Sequence, residues 1–202
     1  MINTKQRRMD NIATKIKACR DCNGMNEPSI TESAPGYGSV DSPVVIVGQS
    51  LCEQCMKSGI PFTGGSGKLL DSTFEQADRA KGDLFTTNVV HCHPPGNRPS
   101  KRHEIDNCHH FLRDERDELA ILEPVMAIGL GKDAERALTS LYPDARTLPW
   151  PFDAPRPSGT ARGPDLLFAK HPSWIKRQHD SGLEYDYIAS LARAIRWAFD
   201  GR

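Results

Sequence analysis

Six cysteines are the residues of this sequence best suited to chemistry, and four of them have the spacing of a metal site. Cys19-Arg-Asp-Cys22 is a CxxC pair near the N-terminus, and Cys92 and Cys108 lie further along the chain. Four thiolates from two separated segments can hold zinc or a [4Fe–4S] cluster, because both accept four cysteine ligands. The spacing of these cysteines does not distinguish between zinc and an iron–sulfur cluster. The remaining pair, Cys52-Glu-Gln-Cys55, is interpreted either as further ligands or as two free thiols in a loop.

Length and composition indicate one ordinary domain. The chain has 202 residues, of which 38% are hydrophobic and 26% charged. Its 26 Lys and Arg balance its 26 Asp and Glu, so any contact with nucleic acid must come from local basic patches. No apolar run approaches the roughly 18 residues of a membrane span, and the polar N-terminus does not match a secretory signal. We therefore expect a cytoplasmic monomer with reduced cysteines.

Short apolar runs alternate with helical patterns along most of the chain. The predicted strands are 43–48, 84–90, 124–129 and 166–170, and the predicted helices are 66–81, 101–122, 132–141 and 183–199. Residues 49–67 and 142–164 are predicted loops, and 171–173 a turn. Four successive β-then-α units predict an α/β fold, a parallel sheet flanked by helices. We interpret residues 1–202 as one domain, with its core over 43–199.

The carboxyl ends of the predicted strands are where a sheet of this kind places its chemistry. The four strand-end segments are 48–52, 87–91, 129–131 and 171–173. Three of them carry polar or ionisable side chains. We therefore expect a functional site at this edge of the sheet.

The order of these motifs resembles the iron–sulfur uracil-DNA glycosylases, with family 4 as the most similar branch. The resemblance covers about residues 16–199. The motifs are Cys19-Arg-Asp-Cys22, the strand 43–48, Ile60-Pro-Phe-Thr-Gly-Gly-Ser-Gly-Lys-Leu-Leu-Asp71, Thr87-Asn-Val-Val-His-Cys-His-Pro-Pro-Gly-Asn97, Cys108 and His171-Pro-Ser173.

The resemblance implies a three-layer α/β/α sandwich with a central four-stranded parallel sheet. It also implies a structural [4Fe–4S] cluster held by Cys19, Cys22, Cys92 and Cys108, with residues 1–40 as the N-terminal cluster-binding segment. The implied activity is excision of a base from DNA, with uracil as the default and another deaminated or modified base as an option. The implied enzyme is monofunctional: water cleaves the glycosidic bond and no strand is cut.

The same resemblance assigns roles to the residues of the pocket. Phe62 matches the aromatic on which a flipped base stacks, and Gly48 belongs to the same substrate-binding set. Asn88 matches the asparagine that pairs with uracil, since an amide offers both a donor and an acceptor. His171 matches the histidine that stabilises the charge leaving on the base. Gln49 takes the place of the catalytic acid.

Contacts with DNA are expected from two segments near this pocket. The expected DNA-binding residues are Gly64, Ser66, Gly67, Lys68, Ser173, Lys176 and Arg177. Trp174 could act as a wedge that fills the vacated base stack. A further basic patch consists of Arg98, Lys101, Arg102 and His103.

The first motif departs from the family pattern. Family 4 usually reads Gly-Glu-Ala/Gly-Pro-Gly, whereas this chain has Gly48-Gln49-Ser50-Leu51-Cys52. Cys55 stands where relatives often carry a second acid. Glu53 is one candidate for a displaced catalytic base. An alternative hypothesis is that a cysteine beside the pocket acts as a nucleophile.

Two further classes of function remain open at this stage. The missing acids favour an iron–sulfur DNA-binding protein that recognises a modified base or single-stranded DNA without hydrolysis. The four cysteines alone would also fit a zinc-bound structural domain.

Overall fold

The computed structural model describes residues 4–119, 124–155 and 163–200. The strands are β1 (Tyr37–Gly38), β2 (Val44–Ser50), β3 (Phe85–Val90), β4 (Met126–Leu130), β5 (Thr147–Leu148) and β6 (Asp165–Ala169). The helices are α1 (Thr4–Ala18), α2 (Glu53–Ser58), α3 (Lys68–Gln76), α4 (Arg102–Leu119), α5 (Lys132–Leu141), α6 (Pro172–Arg177) and α7 (Ser181–Asp200). None of these helices has both the length and the apolar character needed to cross a membrane.

One mixed sheet runs through the middle of the fold, in the order β1-β3-β2-β4-β6-β5. The central strands β3, β2, β4 and β6 are parallel, which confirms the predicted α/β fold with its four-stranded parallel centre. Two short edge strands extend the sheet to six. β1 pairs antiparallel with β3, and β5, inside the predicted loop 142–164, pairs parallel with β6.

Apolar side chains on both faces of the sheet explain the three layers. Val44 and Ile46 of β2 pack in the same cluster as buried residues of α3 and α7. Val45 and Val47, which alternate with them, belong to a second cluster with α1, α4 and α5. A strand buried on both faces is a continuous apolar run, because neither set of alternating side chains meets water.

Four helices differ from the expectations, and one of them, α3, ends at Gln76 instead of reaching residue 81. α1 is amphipathic, with Met9, Ile12 and Ile16 buried against the rest of the fold. α2 lies within the predicted loop 49–67; the Sγ of Cys52 caps it by accepting the backbone N–H of Cys55 at 3.1 Å, and Gly59 ends it with a φ of 69°. α6 occupies the predicted turn and continues beyond it.

The second CxxC pair is the main correction to the interpretation of the cysteines. The sequence left Cys52 and Cys55 as ligands or as free thiols, whereas the structure joins them in a disulfide. The bond spans the first turn of α2, and both sulfurs lie close to the backbone oxygen of Thr63. The four other cysteines are free.

Glu115 of α4 is a fully buried carboxyl group at the centre of the fold. Its Oε2 accepts a hydrogen bond from Thr87 Oγ1 at 2.6 Å, and its Oε1 accepts one from the backbone N–H of Gly36 at 3.1 Å. His91 Nε2 lies 3.9 Å from Oε2. Burial raises the pKa of Glu115 to about 7, although the hydrogen bonds from Thr87 and Gly36 act to lower it.

Replacing Glu115 with glutamine should make the protein relatively more stable at high pH. Because the pKa of Glu115 rises from 4.5 to about 7 on folding, its contribution to stability is present below pH 4.5 and is lost as the pH rises through 7. Glutamine does not titrate: its oxygen can accept the Gly36 N–H, and its NH2 can donate to Thr87 Oγ1, which then becomes the acceptor. From about pH 5 to about pH 8 we expect the Glu115→Gln variant to gain up to about 3 kcal/mol relative to the unmodified protein.

Thermal unfolding midpoints of both proteins across this pH range test the expectation. His91, whose pKa burial lowers to about 4, titrates in the opposite sense. It is present in both proteins, so its contribution largely cancels in the comparison. A difference in midpoint that does not change with pH would contradict the expectation.

Candidate active site

A cleft of about 510 Å³ opens at the carboxyl edge of the sheet. Its walls come from the ends of β2, β4 and β6 and from the first residues of α5 and α6. The lining residues are Gln49, Ser50, Leu51, Cys52, Ser66, Asn97, Arg98, Leu130, Gly131, Lys132, Asp133, His171, Ser173 and Arg177. Three of the predicted strand-end segments meet here.

Phe62, Gly48 and Asn88 come together at the end of β2. Gly48 pairs with Asn88 on the neighbouring parallel strand β3. A Cβ atom on Gly48 would lie 2.5 Å from Phe62 Cζ and 2.6 Å from Asn88 Oδ1. Both distances are far below a normal contact, so only glycine lets the phenyl ring and the amide approach each other here. Phe62 and Asn88 are both buried.

Lys81 stabilises the loop that carries Phe62 through a hydrogen bond to its backbone. The Lys81 ammonium donates to the backbone oxygen of Phe62 at 2.8 Å and lies 3.6 Å from Asp71. Burial lowers the pKa of Lys81, and Asp71 opposes this shift. Phe62 itself has a φ of 56°, a left-handed conformation that costs energy for a residue with a side chain. The ammonium contact therefore helps to hold a strained residue in place.

His171 lies between the end of β6 and the start of α6, beside Phe62. The centroids of the two rings are 6.4 Å apart. His171 Nδ1 accepts the backbone N–H of Ser173 at 3.2 Å and lies 2.8 Å from Ser173 Oγ. Burial, with a smaller effect of Arg177, lowers the pKa of His171 to about 4. The imidazole is therefore neutral at pH 7, and since Nδ1 is an acceptor, Nε2 carries the proton.

Gln49 is hydrogen-bonded to a carboxylate from another strand end. Its Nε2 donates to Asp133 Oδ2 at 2.6 Å. Asp133 lies in the first turn of α5, where its Oδ1 is 3.3 Å from the exposed Arg136. An acid thus lies next to the position where the family's first motif would carry one.

The predicted DNA-binding residues do not all face the cleft. Ser66, Ser173 and Arg177 line it, and α6 packs against the 3-10 turn 65–67. Lys68 is exposed outside the cleft lining. Lys176 pairs with Glu184 at 2.9 Å.

Gly64 and Gly67 shape the turn rather than the cleft wall. Gly64 has a φ of 66°, and a Cβ on Gly67 would clash with the backbone of Phe62. Trp174 is 39% exposed, with the Lys170 ammonium 5.5 Å from its ring centroid. Of the predicted basic patch, Arg98 lines the cleft, and its guanidinium pairs with the buried Glu104.

The four free cysteines line one small cavity between the N-terminal segment, the end of β3 and α4. Asn107 Nδ2 donates to Cys22 Sγ at 3.3 Å. Burial, together with the other cysteines, raises the pKa of Cys92 to about 12. Within the described ranges, no three His, Cys, Asp or Glu side chains are grouped so as to hold a metal ion. The structure therefore brings the predicted ligands to one place without forming a finished metal site.

Comparison with known proteins identifies the group to which this architecture belongs. A polar crevice beyond the carboxyl ends of parallel strands is a typical place for an α/β enzyme to bind its substrate. The family model described as "Uracil DNA glycosylase superfamily" matches residues 35–196. The chain belongs to this superfamily. Membership confirms the resemblance seen in the motifs and the predicted class of enzyme, a hydrolytic DNA glycosylase.

Three type-4 uracil-DNA glycosylases are among its relatives. The Thermotoga maritima protein is 26% identical over 192 residues, which are 95% of each chain. The Pyrobaculum aerophilum protein is 36% identical over 109 residues, which are 54% of each chain. The Archaeoglobus fulgidus protein is 29% identical over 134 residues, which are 66% of this chain and 65% of the relative.

Proposed function

We propose that this protein excises uracil, or a related deaminated or modified base, from DNA by hydrolysing its N-glycosidic bond. The observation that carries the proposal is the convergence of Phe62, Gly48, Asn88 and His171 at the carboxyl edge of the sheet. A base taken out of a DNA stack needs an aromatic surface and a few fixed polar groups that read its edge. These residues supply both.

Each side chain has a role that matches its chemistry. The flipped base stacks on Phe62, and the Asn88 amide donates to one atom of the base edge and accepts from the next. His171 Nε2–H donates to the base oxygen on which negative charge develops as the bond breaks. A neutral imidazole suits this role because the proton stays on the donor across the physiological pH range.

The cleft, which His171 lines beside these residues, offers groups for the DNA backbone. Arg177 supplies a positive charge, and the hydroxyls of Ser66 and Ser173 are hydrogen-bond donors of the kind that bind phosphates. Gly65, beside Ser66, is exposed and has no side chain, so a phosphate can approach the backbone closely there. Uracil-containing DNA, double- or single-stranded, is therefore the proposed partner.

A single-turnover excision assay tests this function. Anaerobically purified protein is incubated with single- and double-stranded oligonucleotides that carry uracil, hypoxanthine, xanthine or 5-hydroxymethyluracil, and alkaline cleavage reveals abasic sites. We expect excision of uracil with no strand cut before alkali. Borohydride trapping is included because Lys132 lines the cleft, and a trapped adduct would contradict a monofunctional mechanism. Binding without excision of any base would instead favour the non-hydrolytic alternative that the missing first-motif acid suggests.

Cys19, Cys22, Cys92 and Cys108 would hold the proposed [4Fe–4S] cluster. All four are free and face one cavity, and four thiolates are the usual donors for such a cluster. When bound, the cluster would supply a crosslink between the N-terminal segment, the end of β3 and α4. Asn107 and the buried cavity walls would shield the sulfurs from water.

Replacing Cys92 with serine should abolish most of the bound iron and sulfide and lower the thermal midpoint, because one ligand and the crosslink are lost. Iron and acid-labile sulfide analysis of anaerobically purified protein measures this. The matched control is Cys52→Ser, which removes a cysteine from the disulfide outside the cavity. Equal loss of iron in both variants, or zinc in place of iron, would contradict the cluster.

A further inference from the structure

The cleft contains one carboxylate that the motifs do not account for. Asp133 is the only acidic residue among the described residues that line the cleft. Its side chain is 19% exposed and lies in the first turn of α5. Arg136 also contacts it, but that guanidinium is 71% exposed, and a contact of this kind contributes little.

The contact between Gln49 and Asp133 orients the amide. A carboxylate only accepts hydrogen bonds, so the group that approaches Asp133 at 2.6 Å must be the NH2 of Gln49. Gln49 Oε1 is then left to accept a hydrogen bond from another molecule. The pair therefore presents two acceptors to the cleft, an amide oxygen and a carboxylate.

Asp133 is also positioned relative to His171 by the sheet. The backbone N–H of Gly131 donates to Ala169 at 2.9 Å, which joins the ends of β4 and β6. A Cβ on Gly131 would lie 3.4 Å from His171 Cβ. Asp133 follows two residues after Gly131, and its side chain and that of His171 line the same cleft.

We infer that Asp133 is the catalytic carboxylate that replaces the missing first-motif acid, and that Gln49 is its partner in binding the attacking water. The inference rests on the proposed function. The water oxygen forms a bond to C1′ of the sugar as the bond from C1′ to the base nitrogen breaks. The electron pair of that bond leaves with the base, and one water proton passes to Asp133. Gln49 Oε1 accepts the other O–H of the water as a hydrogen bond.

An exchange of the two side chains tests this inference. Asp133→Asn should lower the single-turnover rate on uracil by about 100-fold or more, because the proton acceptor is lost while the size is kept. Gln49→Glu alone places two carboxylates in contact, so one of them holds a proton and the rate should become strongly pH-dependent. Gln49→Glu/Asp133→Asn restores one carboxylate, one amide and their hydrogen bond. It should recover the rate to within about 10-fold of the unmodified protein.

Glu135→Gln is the matched control, because Glu135 carries the same charge in the same helix turn but is exposed outside the cleft lining. It should keep the full rate. An Asp133→Asn variant that keeps the full rate would overturn the inference and leave the proposed function standing. Failure of the exchange to rescue Asp133→Asn, with unchanged thermal midpoints, would also overturn it. Absence of excision by the unmodified protein would overturn both.

Discussion

Alanine in place of His171 is expected to lower the single-turnover rate of uracil excision by about 100- to 1,000-fold, the usual cost of removing a donor to a developing oxyanion. His171 is held for this role by the backbone N–H of Ser173, which fixes the ring and leaves the proton on Nε2. Its effect should fall on the rate of the chemical step rather than on DNA binding. His179→Ala, which removes an exposed histidine outside the cleft lining, is the matched control.

The pH dependence of the rate provides an independent check on His171. Its pKa is lowered to about 4, so the ring loses its extra proton well below neutral pH and stays neutral above that range. Between about pH 6 and about pH 8 we expect no change in rate from this group. A rate that falls as the pH rises through about 6.5 in the unmodified protein, and is flat in His171→Ala, would contradict a neutral donor.

Leucine in place of Asn88 is expected to lower excision of uracil by about 100-fold or more. Leucine keeps nearly the same size but offers no hydrogen bond, so the N–H and the oxygen of the base edge would enter a buried pocket without partners. Each such group costs about 1–3 kcal/mol. Excision rates and binding of an abasic-site duplex, measured side by side, check this.

A second variant distinguishes the loss of base recognition from a folding defect. Asn88→Asp keeps the size and polarity of the side chain, but an ionised carboxylate cannot donate to the base oxygen. We expect it to lose excision as well while it binds the abasic product normally. Retention of the rate within about threefold in either variant would show that Asn88 does not read the base.

The central strands could be predicted from the sequence because each is a short apolar run between turn residues. The predicted strand 84–90 differs from β3 at one end only, and helix α5 has the predicted bounds 132–141. α1 was missed because only Met9, Ile12 and Ile16 form its apolar stripe in an otherwise polar segment. α2 was missed because it has six residues and a cysteine as its cap.

The site could be predicted only where it follows the strand ends or a family motif. The motifs singled out Phe62 and His171, whose rings are neighbours in the structure, whereas Lys81 and Asp133 were not recognised. Gln49 and Asp133 are 84 residues apart, and sequence periodicity carries no signal for a contact between two such loops. The sequence signal available for Asp133 was its position as an acidic residue shortly after the predicted strand 124–129.

The pairing of Gly48 with Asn88 determines how the pocket responds to a substrate. Both residues belong to central strands whose backbones are paired with neighbours on each side, so the backbone that carries the Asn88 amide is already held in place before a base arrives. If Asn88 reads the base as proposed, little conformational entropy of its backbone is lost when the base binds. The energy of base stacking and DNA contact remains available to extract the nucleotide from the duplex, which is the costly part of the task.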